Sequence, residues 1–314
     1  EDMATKFFEH FLYIAKAMTN VADAGIGLWD ERDQFFYDVL QLPDGQRIPL
    51  EYRSMVGLTP LFAVEVLSPE ILERLPQFKR HMEWFLNHRP DLAELVSHWD
   101  QPGRGETRLL SLLRGHRMKK LLERMLDETE FLAPHGVRSL SKVHEDHPYI
   151  FRSADGEHVV RYRPAESDTG LFGGNSNWRG PIWFPVCYLL IESLRRFHGY
   201  YGDDFKIECP THSGKWVTIR QAADEVAARM TQIFLRDARG RRAVFGANER
   251  LQNDPHFRDY LQFHEYFSGD DGRGLGAAHQ TGWTGLIATL LRPSAAAQPA
   301  VAPPGAAAQK EPAP

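Results

Sequence analysis

Gly173-Gly174-Asn175-Ser176-Asn177-Trp178-Arg179-Gly180-Pro181-Ile182-Trp183-Phe184 runs without a break into Pro185-Val186-Cys187-Tyr188-Leu189-Leu190-Ile191. The first part sets two indoles and a guanidinium among glycines, and the second is a continuous apolar run. Gly173, Gly174 and Gly180 permit backbone angles and close approach that a Cβ hinders. Pro181 suits the first turn of a helix, where its missing N–H would be unpaired anyway. The stretch therefore reads as a loop feeding a buried helix from Pro181 to about Phe197. Trp178 and Trp183 offer flat faces to the C–H side of a pyranose, and Arg179 can hold hydroxyls or orient a carboxylate. A structural loop with core tryptophans would carry the same letters, so the rest of the chain has to decide.

Outward from this loop, the chain repeats helix and irregular loop. Phe7, Phe8, Phe11, Leu12, Ile14, Ala15 and Met18 recur at three-to-four spacing and predict a helix over 3–18. Gly27-Leu28-Trp29-Asp30 to Phe35-Phe36-Tyr37-Asp38 reads as a turn and a short extended piece, and Asp44-Gly45 as the turn of one small β-hairpin. A short apolar helix is expected over 55–67. Ser68-Pro69-Glu70 starts another that runs to about Asn87, with Ser68 as cap. Further helices are expected over 106–126, 219–236 and 276–291.

About seven amphipathic helices with long aromatic-rich loops make the chain all-α. Such loops are too long for a simple bundle, and the lack of Val/Ile runs alternating with the helices counts against a parallel sheet. A ring of helices would gather the loops at one mouth. The folded domain is expected over 1–292, with an Ala/Pro-rich disordered tail over 293–314.

Composition removes several classes of partner. At 314 residues a substantial core is available. A net charge of -5 supplies no basic face for nucleic acid, and no stretch approaches the apolar length of a membrane span. Cys187 and Cys209 form neither a disulfide scaffold nor a paired zinc spacing, which favours a reducing, cytoplasmic setting. Glu1 begins inside a helical pattern with no initiator Met and no signal peptide, so the sequence reads as an excised part of a longer polypeptide, with the missing N-terminal part as a partner.

The second informative stretch, Gln262 to Gly285, carries His264-Glu265-Tyr266, several glycines, and then His279-Gln280-Thr281-Gly282-Trp283. A glutamate held in this way can take a proton from water attacking a sugar carbon. Glycoside hydrolysis with inversion uses two carboxyl groups roughly 6.5–9.5 Å apart. Asp30, Glu31, Asp33 and Asp38 are candidate partners, and no pattern elects one of them. Asp270 and Asp271 are better read as turn residues that bind backbone N–H groups or an ion. His144-Glu145-Asp146-His147 lacks the helical His-Glu-x-x-His arrangement, so no metal is expected. Hydrolysis also needs no organic cofactor.

Taken together, Gly27-Leu28-Trp29-Asp30 with Phe35-Phe36-Tyr37-Asp38, Arg53-Ser54-Met55-Val56-Gly57-Leu58, Asn177-Trp178-Arg179-Gly180-Pro181-Ile182-Trp183 and His264-Glu265-Tyr266 with His279-Gln280-Thr281-Gly282-Trp283 occur in an order that resembles the C-terminal part of the catalytic domain of glycoside hydrolase family 63. That family contains processing alpha-glucosidases and bacterial glucosidase-like and mannosylglycerate hydrolase-like enzymes. The resemblance implies a partial (alpha/alpha)6 toroid, a carbohydrate substrate, inversion at an alpha-glycosidic linkage, and Glu265 as the match for the general base. Trp178, Arg179 and Trp183 match the substrate-cleft motif. Gln280 and Trp283, with Trp29, Asp30, Tyr37 and Arg53 of the first motifs, are the further substrate-binding candidates. The family's general acid is an aspartate upstream of the segment that begins here, so the parent would be the hydrolase and this piece alone would not. A trehalase-like or glucoamylase-like hydrolase and a non-catalytic carbohydrate-binding toroid are the alternatives.

Overall fold

The structure, a computed structural model, describes residues 1–20, 27–96, 101–113, 115–153, 156–166, 168 and 178–291. Residues 173–177 of the glycine-rich loop and the expected tail lie outside them. Among the described residues the chain forms ten α-helices and seven two-stranded antiparallel sheets. It is helix-rich, and where one hairpin was expected there are seven strand pairs. The loops between helices carry backbone N–H and C=O groups that need partners, and short pairings supply them.

Helix α1 (Asp2–Thr19) buries Phe8, Leu12 and Ala15. Strands β1 (Trp29–Asp30) and β2 (Phe35–Phe36) pair with Trp29 opposite Phe36. The expected hairpin forms from β3 (Asp38–Gln41) and β4 (Arg47–Leu50). The apolar 55–67 segment splits into a 3-10 helix over Met55–Phe62 and strand β5 (Val64–Leu67). Ser68 does cap α2 (Pro69–Arg74), accepting the Ile71 N–H. That helix breaks before α3 (Pro76–His88), because Pro76 has no N–H to donate and restricts Leu75 before it. Short α4 (Pro90–Ala93) follows.

The single helix expected over 106–126 is also divided. Strand β6 (Arg108–Ser111) pairs with β5, and α5 (Gly115–Met125) follows. Next come β7 (Leu132–Ala133) with β8 (Gly136–Val137), and β9 (Tyr149–Ser153) with β10 (Gly156–Val160). Helix α6 (Phe184–Tyr201) starts later than Pro181, with Pro185 in its first turn. Strands β11 (Lys206–Glu208) and β12 (Trp216–Thr218) lead into α7 (Ile219–Gln232), whose N-terminus carries a reciprocal Thr218–Gln221 capping box. After α8 (Glu249–Asn253), β13 (Tyr266–Phe267) pairs with β14 (Gly274–Leu275). The last expected helix becomes two single turns, α9 (Thr281–Thr284) and α10 (Ile287–Leu290).

Two main clusters hold these elements. The larger joins α5, α6, α7 and the short strands between them, with Leu121, Phe131, Phe184, Leu194, Val226 and Phe267 all buried. The smaller packs α1 against α3 and α4 through Phe8, Leu12, Phe78, Phe85 and Leu92. No helix among the described residues is long and apolar enough to cross a membrane.

Candidate active site

Ile182 brings the two informative stretches together. Its N–H donates to the Phe267 carbonyl at 2.7 Å, and the Phe267 N–H donates back to the Ile182 carbonyl at 2.9 Å. Trp183 therefore lies beside Tyr266, the next residue along each strand. Their rings stack at 5.0 Å with 25° between planes. Trp178 stacks on Trp183 at 4.1 Å and 10°, and Trp283 meets Trp183 edge-on at 6.3 Å. Trp183 is buried, whereas Trp178 is 39% and Trp283 38% exposed. Each outer indole thus keeps part of its surface open to a ligand.

Glu265 sits against this aromatic group and is half-buried. Its backbone is tied down on both sides. The Glu265 N–H donates to the Ala277 carbonyl at 2.9 Å, and the Trp283 indole N–H donates to the Glu265 carbonyl at 3.0 Å. Its Oε2 accepts the Ala277 N–H at 3.4 Å. Gly276 makes this possible: φ is +66°, and an added Cβ would lie 2.8 Å from Oε2. Gln280 stands close by as the residue preceding α9, its N–H bonded to the Phe263 carbonyl at 2.7 Å. Glu265, Trp178, Trp183, Trp283 and Gln280 are thus brought into one neighbourhood.

Tyr266 connects that neighbourhood to a second carboxylate. Its hydroxyl donates to Glu166, whose two oxygens lie 3.1 and 3.0 Å away. Burial, then the bond and charge of Glu166 and the charge of Glu265, push the phenol above its ordinary value. Arg179, next to Trp178, is buried, and burial lowers its guanidinium against the opposing charges of Tyr52 and Asp168. Gly180 follows with φ +150°, in a place where a Cβ would collide with the Arg163 carbonyl at 2.4 Å. Tyr52 in turn faces Asp38, its hydroxyl 3.5 Å from Oδ2. Burial raises the Asp38 carboxyl above its usual range, opposed by Tyr52. Tyr52 and Glu166 were missed from sequence. Tyr52 directly precedes Arg53 of the Arg53–Leu58 motif, whereas Glu166 carries no local signal.

Of the remaining candidates, Tyr37 and Arg53 belong to a separate ionic group, and Asp30 and Trp29 to the loop that carries its Asp33. Tyr37 donates its hydroxyl to Asp33 Oδ2 at 2.5 Å, and Arg53 lies 3.6 Å from that atom and 3.2 Å from Glu130 Oε1. Burial would raise the Asp33 carboxyl, but Tyr37, Arg53 and Arg124 together hold it below its ordinary range. Asp30 accepts the Asp33 N–H at 2.6 Å and so closes the β1–β2 turn. Trp29 packs edge-on to Phe36 at 4.9 Å, with the Arg117 guanidinium 4.9 Å from its ring. All four residues are engaged in holding the loop. Asp271 accepts the Arg273 N–H, as a turn residue should, whereas Asp270 takes the Tyr162 hydroxyl at 2.8 Å and the Lys142 ammonium at 3.3 Å. Among the described residues, no group of three or more His, Cys, Asp or Glu side chains is placed to hold a metal ion.

The arrangement offers one fixed carboxylate beside aromatic faces, with hydrogen-bonding groups at their edges. Such a site can position a sugar and accept a proton from water. The chain is 47% identical over 305 residues to the uncharacterized protein YMR196W of Saccharomyces cerevisiae, an alignment that takes in 93% of this chain and 28% of the yeast protein. The chain therefore spans little more than a quarter of that relative's length. A mannosylglycerate hydrolase of family GH63 from Thermus thermophilus, solved with glucose, is 15% identical over 84% of this chain and 34% of its own, with a TM-score of 0.31. Residues 108–284, which include the aromatic stack and Glu265, match the model of the mannosylglycerate hydrolase MGH1-like glycoside hydrolase domain, and the chain belongs to that glycoside hydrolase family.

Proposed function

We propose that the protein of which this chain is the Glu265-bearing part hydrolyses an alpha-glycoside, an alpha-glucoside or a related small glycoside, with inversion. Glu265 is the general base that activates water. Trp178, Trp183 and Trp283 shape the sugar subsite, and Arg179 and Gln280 orient the sugar or the water. Trp29, Asp30, Tyr37 and Arg53, in their separate loop group, are the further candidates for substrate contact. The general acid comes from polypeptide preceding this segment, and the helices here form part of an (alpha/alpha)6 toroid that the preceding segment completes.

The observation that carries this reading is the seating of Glu265. Its main chain is bonded on both faces, its carboxylate rests on a glycine, and it stands beside the exposed indoles of a four-ring aromatic cluster. A base held in this way needs little reorganisation when water attacks. The longer protein should hydrolyse alpha-glucosides, mannosylglycerate or glucosylglycerate, with the inverted anomer appearing first by NMR. Glu265→Gln should lower turnover about 10²–10⁴-fold while leaving the fold intact. Sugar binding without turnover, unchanged by Glu265→Gln, would instead identify a non-catalytic carbohydrate-binding domain.

A further inference from the structure

A cavity of ≈410 Å³ opens between α5, the β11–β12 hairpin and the Gln34 turn, and neither Glu265 nor any member of the aromatic stack lines it. Trp216 stands at its edge, 60% exposed at the start of β12. The hairpin is fixed in place: the Thr211 hydroxyl donates to the Glu123 carbonyl at 2.7 Å, and the Thr211 N–H to the Leu126 carbonyl at 2.9 Å. The indole is therefore presented on a rigid wall.

The charges lining the cavity are largely paired with one another. Lys120 meets Glu123 at 2.8 Å, Arg124 meets Glu130 at 2.6 Å, and His212 Nε2 lies 3.5 Å from Asp127. The Lys119 ammonium sits 5.7 Å from the Trp216 ring. A strongly charged ligand of either sign would meet like charges within this set. A purely apolar one would strip water from the carboxylates and ammonium groups without replacing their hydrogen bonds. The ligand that suits the walls is neutral, donates and accepts hydrogen bonds on its rim, and has one C–H face for the indole.

We propose that this cavity is a second carbohydrate site, separate from Glu265, in which a neutral hexopyranoside stacks on Trp216 and exchanges hydrogen bonds with Lys120 and Glu123. The site does not depend on hydrolysis at Glu265.

The test is titration of the 314-residue chain with methyl α-D-glucopyranoside and methyl α-D-mannopyranoside, followed by calorimetry and by the indole N–H signals in ¹H–¹⁵N spectra. Saturable binding of either sugar that shifts the Trp216 indole signal is expected. Trp216→Ala should raise Kd by about tenfold or more, and Trp216→Phe by about threefold, as a smaller face replaces a larger one. Glu265→Gln should leave the Trp216 shift and its Kd unchanged, which separates this site from Glu265. The Trp216 shift in the unaltered chain decides the matter if the alanine variant fails to fold. Absence of saturable binding, or binding that shifts Trp178 and Trp283 and not Trp216, would overturn the proposal.

Discussion

A Cβ at Gly276 would enter the space of the Glu265 carboxylate and approach the Tyr266 ring to 2.7 Å, from a backbone angle that L side chains rarely adopt. Gly276→Ala should therefore cost about 1–3 kcal/mol in urea unfolding and displace the base. Gly282, inside α9, has nothing within 4 Å of a built Cβ. Gly282→Ala should be neutral or stabilising by up to about 1 kcal/mol, so equal losses for the two variants would refute the close-approach argument. His144 supplies a pH test. Its Nε2 accepts the Arg53 N–H at 2.8 Å and its Nδ1 lies 2.9 Å from the His147 carbonyl, an arrangement that requires a neutral ring. Burial lowers its pKa, opposed by the His147 carbonyl and reinforced by Arg53. The folded state then binds fewer protons than the unfolded chain. The stability from this group is full above the unfolded value of about 6.5 and is lost as pH falls through it. The fall in Tm from about pH 7.5 to about pH 5.5 should be smaller in His144→Gln than in the unaltered chain. An identical fall would remove His144 from the account.

Helix boundaries were most legible at the elements with explicit stop and start chemistry. Ser68 caps α2 as its position before Pro69 predicts, and the apolar spacing of α1 places Phe8, Leu12 and Ala15 inside. Segments defined by apolar content alone were less legible. Both 55–67 and 106–126 divide between helix and strand, because short apolar runs satisfy either geometry until β5 and β6 find each other. The start of α6 was displaced for a similar reason: Ile182 is taken by Phe267 in extended pairing, so the helix cannot begin at Pro181. At α7, removing the reciprocal cap by Thr218→Ala should cost about 1 kcal/mol, readable as a lower urea midpoint. An unchanged midpoint would show that packing against α6 alone sets the start of α7.

At the scale of the molecule, α1 has an apolar face that no described element covers. Met3, Phe7 and Ile14 are 62%, 65% and 54% exposed, with Phe11 and Met18 half-buried on the same stripe. Clusters of this kind favour association when they lack a cover. We expect the isolated chain to self-associate, with sedimentation that depends on concentration, and the double variant Phe7→Lys, Ile14→Lys to reduce that dependence. A monodisperse monomer of the unaltered chain would refute the expectation.

The sequence by itself was enough for the helix-rich class, the hairpin at Asp44-Gly45, the nomination of Glu265 and its tryptophans, and the glycoside hydrolase family, because turn chemistry, helical spacing and ordered motifs are all local properties of the chain. Tertiary structure decided which of those motifs meet. The mutual Ile182–Phe267 bonds place Trp183 on Tyr266, Gly276 admits the Glu265 carboxylate, and Tyr266 reaches Glu166 across 100 residues. It also drew Tyr37 and Arg53 into an ionic group with Glu130 and set Trp216 over a cavity. Long-range pairing of this kind depends on complementary surfaces formed only after the helices pack, and no spacing along the chain encodes it.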